Sequence, residues 1–361
     1  MSEIESFKFD IIKNFGTPCA VVDLNVLEAN ITRVQKLCNK AGVSNRPHIK
    51  THKSGEIARM QINAGASGVT CQKLGEAEVM ANAGIKDILI ATNLLGAAAS
   101  GALAALQSRI SLKVCADNTY SIKAYSDAAR DAGRVLDVLV ECDTGQKRAG
   151  VETPEEAFRL AKLIEDDNYL NFKGLLYYPT KDNWNDAELF NAKLVQRLSR
   201  INLIPEIVST GGTPNLQNVG KLSGSTEHRA GTCVFNDLMM VKDGSSSIND
   251  CALSVYTSVV SRAGKDRGIL DAGSKTLTSD LGGLNGYGLI IEYPDAIICK
   301  LAEEHGFLNL KKCAVQPEVG EIVRVIPNHV CVVVNMFNEL VLVRGSKIID
   351  VIKVEARGLL V

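Results

Sequence analysis

The feature that most constrains this chain is a repeated change of hydrophobic period. Between about residue 44 and residue 235, short apolar runs alternate with amphipathic segments. An apolar run of four to eight residues reads as a buried strand, and a 3.6-residue period reads as a helix. Strand candidates lie at about 44–50, 67–71, 87–92, 110–115, 135–142, 172–178, 205–210 and 230–235. Ahead of them Leu27, Ile31, Val34 and Cys38 mark one helix face, with Asp23 or Asn25 as its cap and Gly42 as its stop. Further helices are predicted from about residue 54, with Ile57 and Met60 inward, over 75–83 and over 155–164. The last is announced by Thr153-Pro154-Glu155-Glu156, a capping box with proline at the first helical position. Alternating β and α segments imply a parallel sheet. Eight units in roughly 200 residues favour a TIM-type (β/α)8 barrel over a doubly wound open sheet.

After about residue 245 the texture changes. Strand-like runs at 251–261, 267–271, 286–292, 297–301, 321–326, 330–335 and 339–343 follow one another with few helical patterns. The expected division is therefore an α/β barrel over 17–245 and a β-rich C-terminal domain over 246–361, with residues 1–16 packing against the latter. A net charge of -1 argues against a nucleic-acid partner. No apolar run approaches the ~18 residues needed to span a bilayer. The acidic start, Met1-Ser2-Glu3-Ile4-Glu5, lacks the apolar core of a secretory leader, so a cytoplasmic protein is expected. Ten scattered cysteines without a C-x-x-C pair then read as reduced, mostly buried thiols and disfavour a four-cysteine zinc site.

A barrel of this kind carries its active site at the C-terminal ends of its strands. The first strand candidate ends in Arg46-Pro47-His48-Ile49-Lys50-Thr51-His52-Lys53. Strand alternation places His48 and Lys50 on one face. A lysine whose surroundings lower its pKa can form a Schiff base with a carbonyl. Lys50 is the candidate; Lys53, near the next helix, is the rival and is expected to be solvated. Taken alone, the stretch reads as well as a solvated basic strand end. Gln72 offers a donor and an acceptor where the second strand meets a helix. Arg148 lies in the loop Asp143-Thr144-Gly145-Gln146-Lys147-Arg148, suited to an anionic or phenolic oxygen. Ser209-Thr210-Gly211-Gly212-Thr213 and the Gly231-Thr232 pair fall after strands seven and eight, where such barrels commonly bind phosphate. In the second domain His329 and Cys331 stand two apart on a predicted strand and so face one way. Imidazole plus thiolate favours zinc, and two protein ligands leave room for water or substrate. The plainer reading is a buried cysteine beside a hydrogen-bonded histidine.

Together these residues resemble the fold-type III pyridoxal-phosphate enzymes, in particular the D-threonine aldolase and D-serine dehydratase group related to alanine racemase. The resemblance runs from Thr17-Pro18 to Pro327-Asn328-His329-Val330-Cys331. It implies Lys50 as the Schiff-base and catalytic residue, Gln72 and Arg148 near the cofactor ring oxygen, and Tyr178 as the pocket tyrosine. It also implies that Ser209, Gly211, Gly231 and Thr232 hold the phosphate of pyridoxal 5'-phosphate. His329 and Cys331 would hold a divalent metal, zinc or manganese. The implied activity is a lyase acting on a small D-β-hydroxy amino acid in a homodimer, either by retro-aldol cleavage to glycine plus an aldehyde or by dehydration. An amino-acid racemase and a non-catalytic carrier of the cofactor stay open as alternatives. Two departures stand out. The metal motif reads His-x-Cys, as in D-serine dehydratases, where the aldolases resemble His-x-Asp. The segment Tyr178-Pro179-Thr180-Lys181-Asp182-Asn183-Trp184 also lacks the histidine that these relatives often carry there.

Overall fold

The structure, a computed structural model, describes residues 3–361, and the chain forms two compact units. One holds Thr32–Lys50, Gly55–Gly231 and Leu359–Val361. The other holds the chain up to Ile31, Thr51–Ser54 and Thr232–Gly358.

The first unit is an eight-stranded parallel barrel of (β/α)8 type. In chain order its strands are Ser44–Asn45, Val69–Cys71, Asp87–Ile90, Ser111–Ala116, Leu136–Cys142, Leu170–Tyr177, Ile207–Gly211 and Glu227–Arg229. From the second strand on, each pairs in parallel with the next, and the last pairs with the first. A parallel bridge between His48 and Thr70 closes the ring, and Thr70 N donates to Pro47 O at 2.8 Å. Alternation sends Ile88, Ile90, Val114 and Val138 outward into the helix-packed core. Leu89, Cys115, Leu139 and Leu176 form a separate apolar cluster, the inward layer. Strands buried on both faces read as near-continuous apolar runs, which is why the pattern was visible.

The barrel ladder differs from expectation at its two ends. The first strand is only Ser44–Asn45, and Lys50 lies in a 3₁₀ turn, Ile49–Thr51. Pro47, which has no N–H, interrupts the ladder there. The eighth strand is Glu227–Arg229 rather than 230–235, and Thr232–Val234 is a 3₁₀ turn. Its charged side chains are buried, Glu227 at 4% and Arg229 at 6% exposure, and paired inside the barrel. A polar strand of this kind carries no apolar signal.

The second unit contains a nine-stranded, mostly antiparallel sheet. Six strands, Leu253–Ser261, Arg267–Leu270, Gly306–Asn309, Ile297–Leu301, Leu289–Ile290 and Ile322–Ile326, close on themselves through pairing of the first two. Cys19–Asp23 extends the sheet, pairing antiparallel to Leu253–Ser261 and parallel to Glu339–Arg344; Lys347–Lys353 forms the edge. The helix Glu3–Phe15 lays Phe7 and Ile11 against Tyr256, Val341 and Val343. The strand predicted at 330–335 is instead the helix Val330–Met336. Its β-branched residues favour a strand, but Asp237 fixes the helix start: Oδ2 accepts from Val330 N at 3.0 Å. Asp237 Oδ1 also caps the helix Leu238–Lys242 through Met240 N, at 3.0 Å.

Local expectations hold where the signal is local. Leu27, Ile31, Val34 and Cys38 are buried along the helix Leu24–Ala41, and Asp23 Oδ1 accepts from Asn25 N at 2.8 Å. The capping box forms: Glu156 N donates to Thr153 Oγ1 at 3.2 Å and Thr153 N donates to Glu156 Oε2 at 3.1 Å. All ten cysteines are free thiols, six of them buried. Among the described residues no helix is long and apolar enough to cross a membrane.

Candidate active site

In the barrel unit, the sequence candidates gather at one rim, the C-terminal ends of the parallel strands. Lys50 follows the first strand, Gln72 the second, Arg148 lies in the loop after the fifth, and Tyr178 follows the sixth. Ser209 and Gly211 end the seventh, and Gly231 follows the eighth.

Lys50 is half-buried in its turn, and its backbone N–H points at His48 Nδ1 at 3.4 Å. His48 Nε2 then donates to Gln72 Oε1 at 3.2 Å, and Gln72 Nε2 donates to Ala91 O at 3.1 Å. The chain of bonds fixes one neutral tautomer of His48 and one orientation of the Gln72 amide. Gln72 N also donates to Glu76 Oε2 at 2.7 Å, tying the amide to its helix start. Strand alternation places His48 on the face of Lys50; in the structure it is the brace between the Lys50 turn and Gln72.

Arg148 is exposed, with its guanidinium 5.4 Å from the centre of the Tyr178 ring. Gly212, at φ 106°, sits so close that a Cβ there would meet Tyr178 Cε2 at 2.4 Å. Only glycine allows the ring to lie against this loop. Gly211 is similarly pressed: a Cβ would lie 2.9 Å from Arg229 O. Ser209 is fully buried, donating to Glu227 Oε1 at 2.6 Å and accepting from Arg229 Nη1. Its hydroxyl is thus engaged with the barrel interior.

Two groups overlooked in the sequence are Arg229 and Glu141. Arg229 Nη2 donates to Tyr177 O at 2.9 Å. Burial lowers the pKa of its guanidinium, while Glu227 and Glu141 oppose that shift. Burial pushes the Glu141 carboxyl up, with Asp117 adding and Arg229 opposing. Their signal was charged residues alternating along strand ends, which reads as solvent-facing until the barrel closes. Deeper in the network Arg46 Nε donates to Glu227 Oε2 at 2.7 Å and Arg46 Nη1 to Asp87, which also takes Lys113 Nζ at 2.9 Å. His228 is fully buried between Thr210 Oγ1 and Gly212 O, each at 3.2 Å; burial depresses it to about 4, so it is neutral.

In the β-rich unit, His329 stands at the N-cap position of the helix Val330–Met336 and Cys331 occupies its first turn. His329 Nδ1 donates to Asp280 Oδ2 at 2.7 Å. Its bond to Cys331, with Asp280 adding, pushes the imidazole up to about 9. Thr51 Oγ1 lies 3.2 Å and Thr232 Oγ1 3.7 Å from Cys331 Sγ. The Thr232 side chain therefore meets the thiol. Among the described residues no three His, Cys, Asp or Glu side chains form a metal cage. An imidazole and a thiol suit an ion that takes its remaining ligands from water or substrate. Lys53, expected to be solvated, is buried at 5% exposure in a left-handed conformation, φ 51°; Lys53 Nζ donates to Ala356 O at 3.4 Å. The loop without a histidine leads to Trp184, whose buried Nε1 has no hydrogen-bond partner among the described residues.

Comparison with known proteins gives the lineage. The family described as alanine racemase, N-terminal domain, matches residues 22–238, and that described as putative serine dehydratase domain matches residues 252–343. A D-threonine aldolase of Arthrobacter sp is 32% identical over 97% of this chain and 94% of its own. The crystal structure of D-threonine aldolase from Filomicrobium marinum superposes with a TM-score of 0.88 at 30% identity, covering 96% of each chain. D-threo-3-hydroxyaspartate dehydratase of Delftia sp. is 32% identical over 89% of this chain and 92% of its own. Structures of a histidine-to-alanine variant and of a cysteine-to-alanine variant of D-threo-3-hydroxyaspartate dehydratase, the latter in a metal-free form, superpose with TM-scores of 0.84 and 0.83. Both are 29% identical; the first covers 93% of this chain and 94% of its own, the second 93% and 97%.

Proposed function

This chain belongs to the fold-type III pyridoxal-phosphate enzymes, in the group of the D-threonine aldolases and D-serine dehydratases, and from that premise we propose a metal-assisted lyase acting on D-β-hydroxy amino acids. The observation that carries the reading is the convergence on one barrel rim of the Lys50 turn, the His48–Gln72 brace, Tyr178 and the glycine pair Gly211–Gly212. An amine, a half-buried ring, a close-approach glycine loop and the buried cation of Arg229 suit a flat, anionic, aldehyde-bearing cofactor.

Lys50 is the covalent attachment point and, as an amine, the group able to move a proton at the substrate α-carbon. Gln72 and Arg148 hold the cofactor ring oxygen, and Tyr178 supports the ring. The amides around Gly211, Gly231 and Thr232 hold the phosphate. Ser209, bonded to Glu227 and Arg229, stiffens that loop. Bound there, pyridoxal phosphate supplies an electron sink for a bond broken at the α-carbon. His329 and Cys331 hold a divalent metal, zinc in first place and manganese in second, which supplies a Lewis acid for a β-oxygen. The histidine and the cysteine altered in the two variants of D-threo-3-hydroxyaspartate dehydratase also stand two positions apart. The enzyme works as a cytoplasmic homodimer in this reading.

The decisive assay incubates the protein, loaded with cofactor and zinc or manganese, with D-threonine, D-serine and D-threo-3-hydroxyaspartate. Glycine, aldehyde, 2-oxo acid and ammonia are measured separately. Glycine with an aldehyde identifies the retro-aldol reaction; 2-oxo acid with ammonia identifies dehydration. The thiol at position 331 favours dehydration, because the dehydratase relative has a cysteine there in sequence spacing. No product from any D-β-hydroxy amino acid, under metal and cofactor loading shown to be complete, contradicts the assignment.

A further inference from the structure

Two segments of the β-rich unit are tied together around His329. Asn328, 1% exposed, donates through Nδ2 to Asp280 O at 3.0 Å and to Gly286 O at 2.8 Å. The next residue, His329, points Nδ1 at the Asp280 carboxylate at 2.7 Å. Asp280 is thus held through its backbone by one residue and bound through its side chain by the next. Two residues before it, Thr278 is buried at 4% exposure with φ 65° and ψ 161°. This is a region of backbone space occupied almost solely by glycine. The Thr278 hydroxyl accepts from Asp280 N at 3.3 Å. Strain is therefore stored in the turn that presents this carboxylate.

We propose that Asp280 is the positioning residue of the metal pair: its carboxylate holds the proton of His329 on Nδ1 and leaves Nε2 as the ligand. This rests on the reading of His329 and Cys331 as metal ligands. The physical reason is general. A ligating imidazole that donates its other N–H to a carboxylate is fixed in tautomer and ring orientation and is made more basic. Without that partner the ring keeps only its bond to Cys331, and Nδ1 and Nε2 compete for the proton. The carboxylate binds the imidazole, not the ion; it acts through His329.

The test measures zinc and cobalt(II) affinity of the full-length, cofactor-loaded protein by titration calorimetry, with the cobalt absorption spectrum as a second readout. Asp280→Asn is expected to weaken binding by about 10- to 100-fold. It should shift the cobalt spectrum and leave the cofactor absorbance unchanged. Asp280→Glu, which keeps the carboxylate, is expected to recover part of the affinity. Equal affinity and spectra for Asp280→Asn and the parent, with binding still abolished by His329→Ala, overturn the role of Asp280 and leave the metal pair standing. Binding that survives both His329→Ala and Cys331→Ala overturns the pair itself and this role with it.

Discussion

Two halves of one basic stretch join different parts of the molecule. Arg46 to Lys50 fold with the barrel, whereas Thr51 to Ser54 fold with the β-rich unit. In the first half, Arg46 is neutralised by Glu227 and Asp87, and His48 braces Gln72, so Lys50 is presented from a fixed turn. In the second half, Lys53 is buried and holds Ala356, and Ala356 N returns a bond to Lys53 O at 3.0 Å. Similar residues three positions apart thus differ in kind: one amine stands half-buried in a turn at the barrel rim and the other is a structural clasp. Composition cannot separate them; only the packing of the flanking strand and of the tail does so.

The largest effect that would break this contrast concerns the barrel half. Glu227→Ala leaves Arg46 and Arg229 buried without their shared carboxylate and is expected to cost about 3–5 kcal/mol. Urea unfolding measures it; a loss below about 1 kcal/mol would mean that the network is not what sets the rim. Next comes pH. His228 has its pKa depressed from 6.5 to about 4, so the unfolded chain binds the extra proton first as the solution is acidified. The stability held in this neutral histidine is complete above about pH 6.5 and is lost as pH falls towards 4, by roughly 3 kcal/mol at most. Comparing unfolding of the parent and His228→Gln across that window isolates the histidine, and identical slopes would refute its buried neutrality. The smallest effect belongs to the clasp. Lys53→Ala is expected to cost about 1–3 kcal/mol through its buried stem and lost bond. It should leave the yellow absorbance of bound cofactor intact, while Lys50→Ala should abolish that absorbance with little change in stability.

Much of the fold was legible because its signals are local. The Thr153–Glu156 capping box and the Leu27–Cys38 face need only neighbouring residues to form. What failed needed distant partners. The eighth barrel strand was hidden because Glu227 and Arg229 look solvent-facing until Ser209, Arg46 and Tyr177 surround them. The helix Val330–Met336 reads as a strand from sequence because the cap that starts it, Asp237, lies far back in the chain. At the candidate site the motif residues were legible by type and by strand-end position. The supports were not: the His48 brace, the seat of Tyr178 on Gly212, and Asp280 against His329 all arise from tertiary contact.

The central claim is that Lys50, and not Lys53, bears the cofactor. Borohydride reduction of the pyridoxal-phosphate-loaded protein followed by peptide mass mapping tests it directly. A single stoichiometric pyridoxyl adduct on Lys50 is expected. An adduct on Lys53 or Lys73, or none on a protein that retains its yellow absorbance, would contradict it.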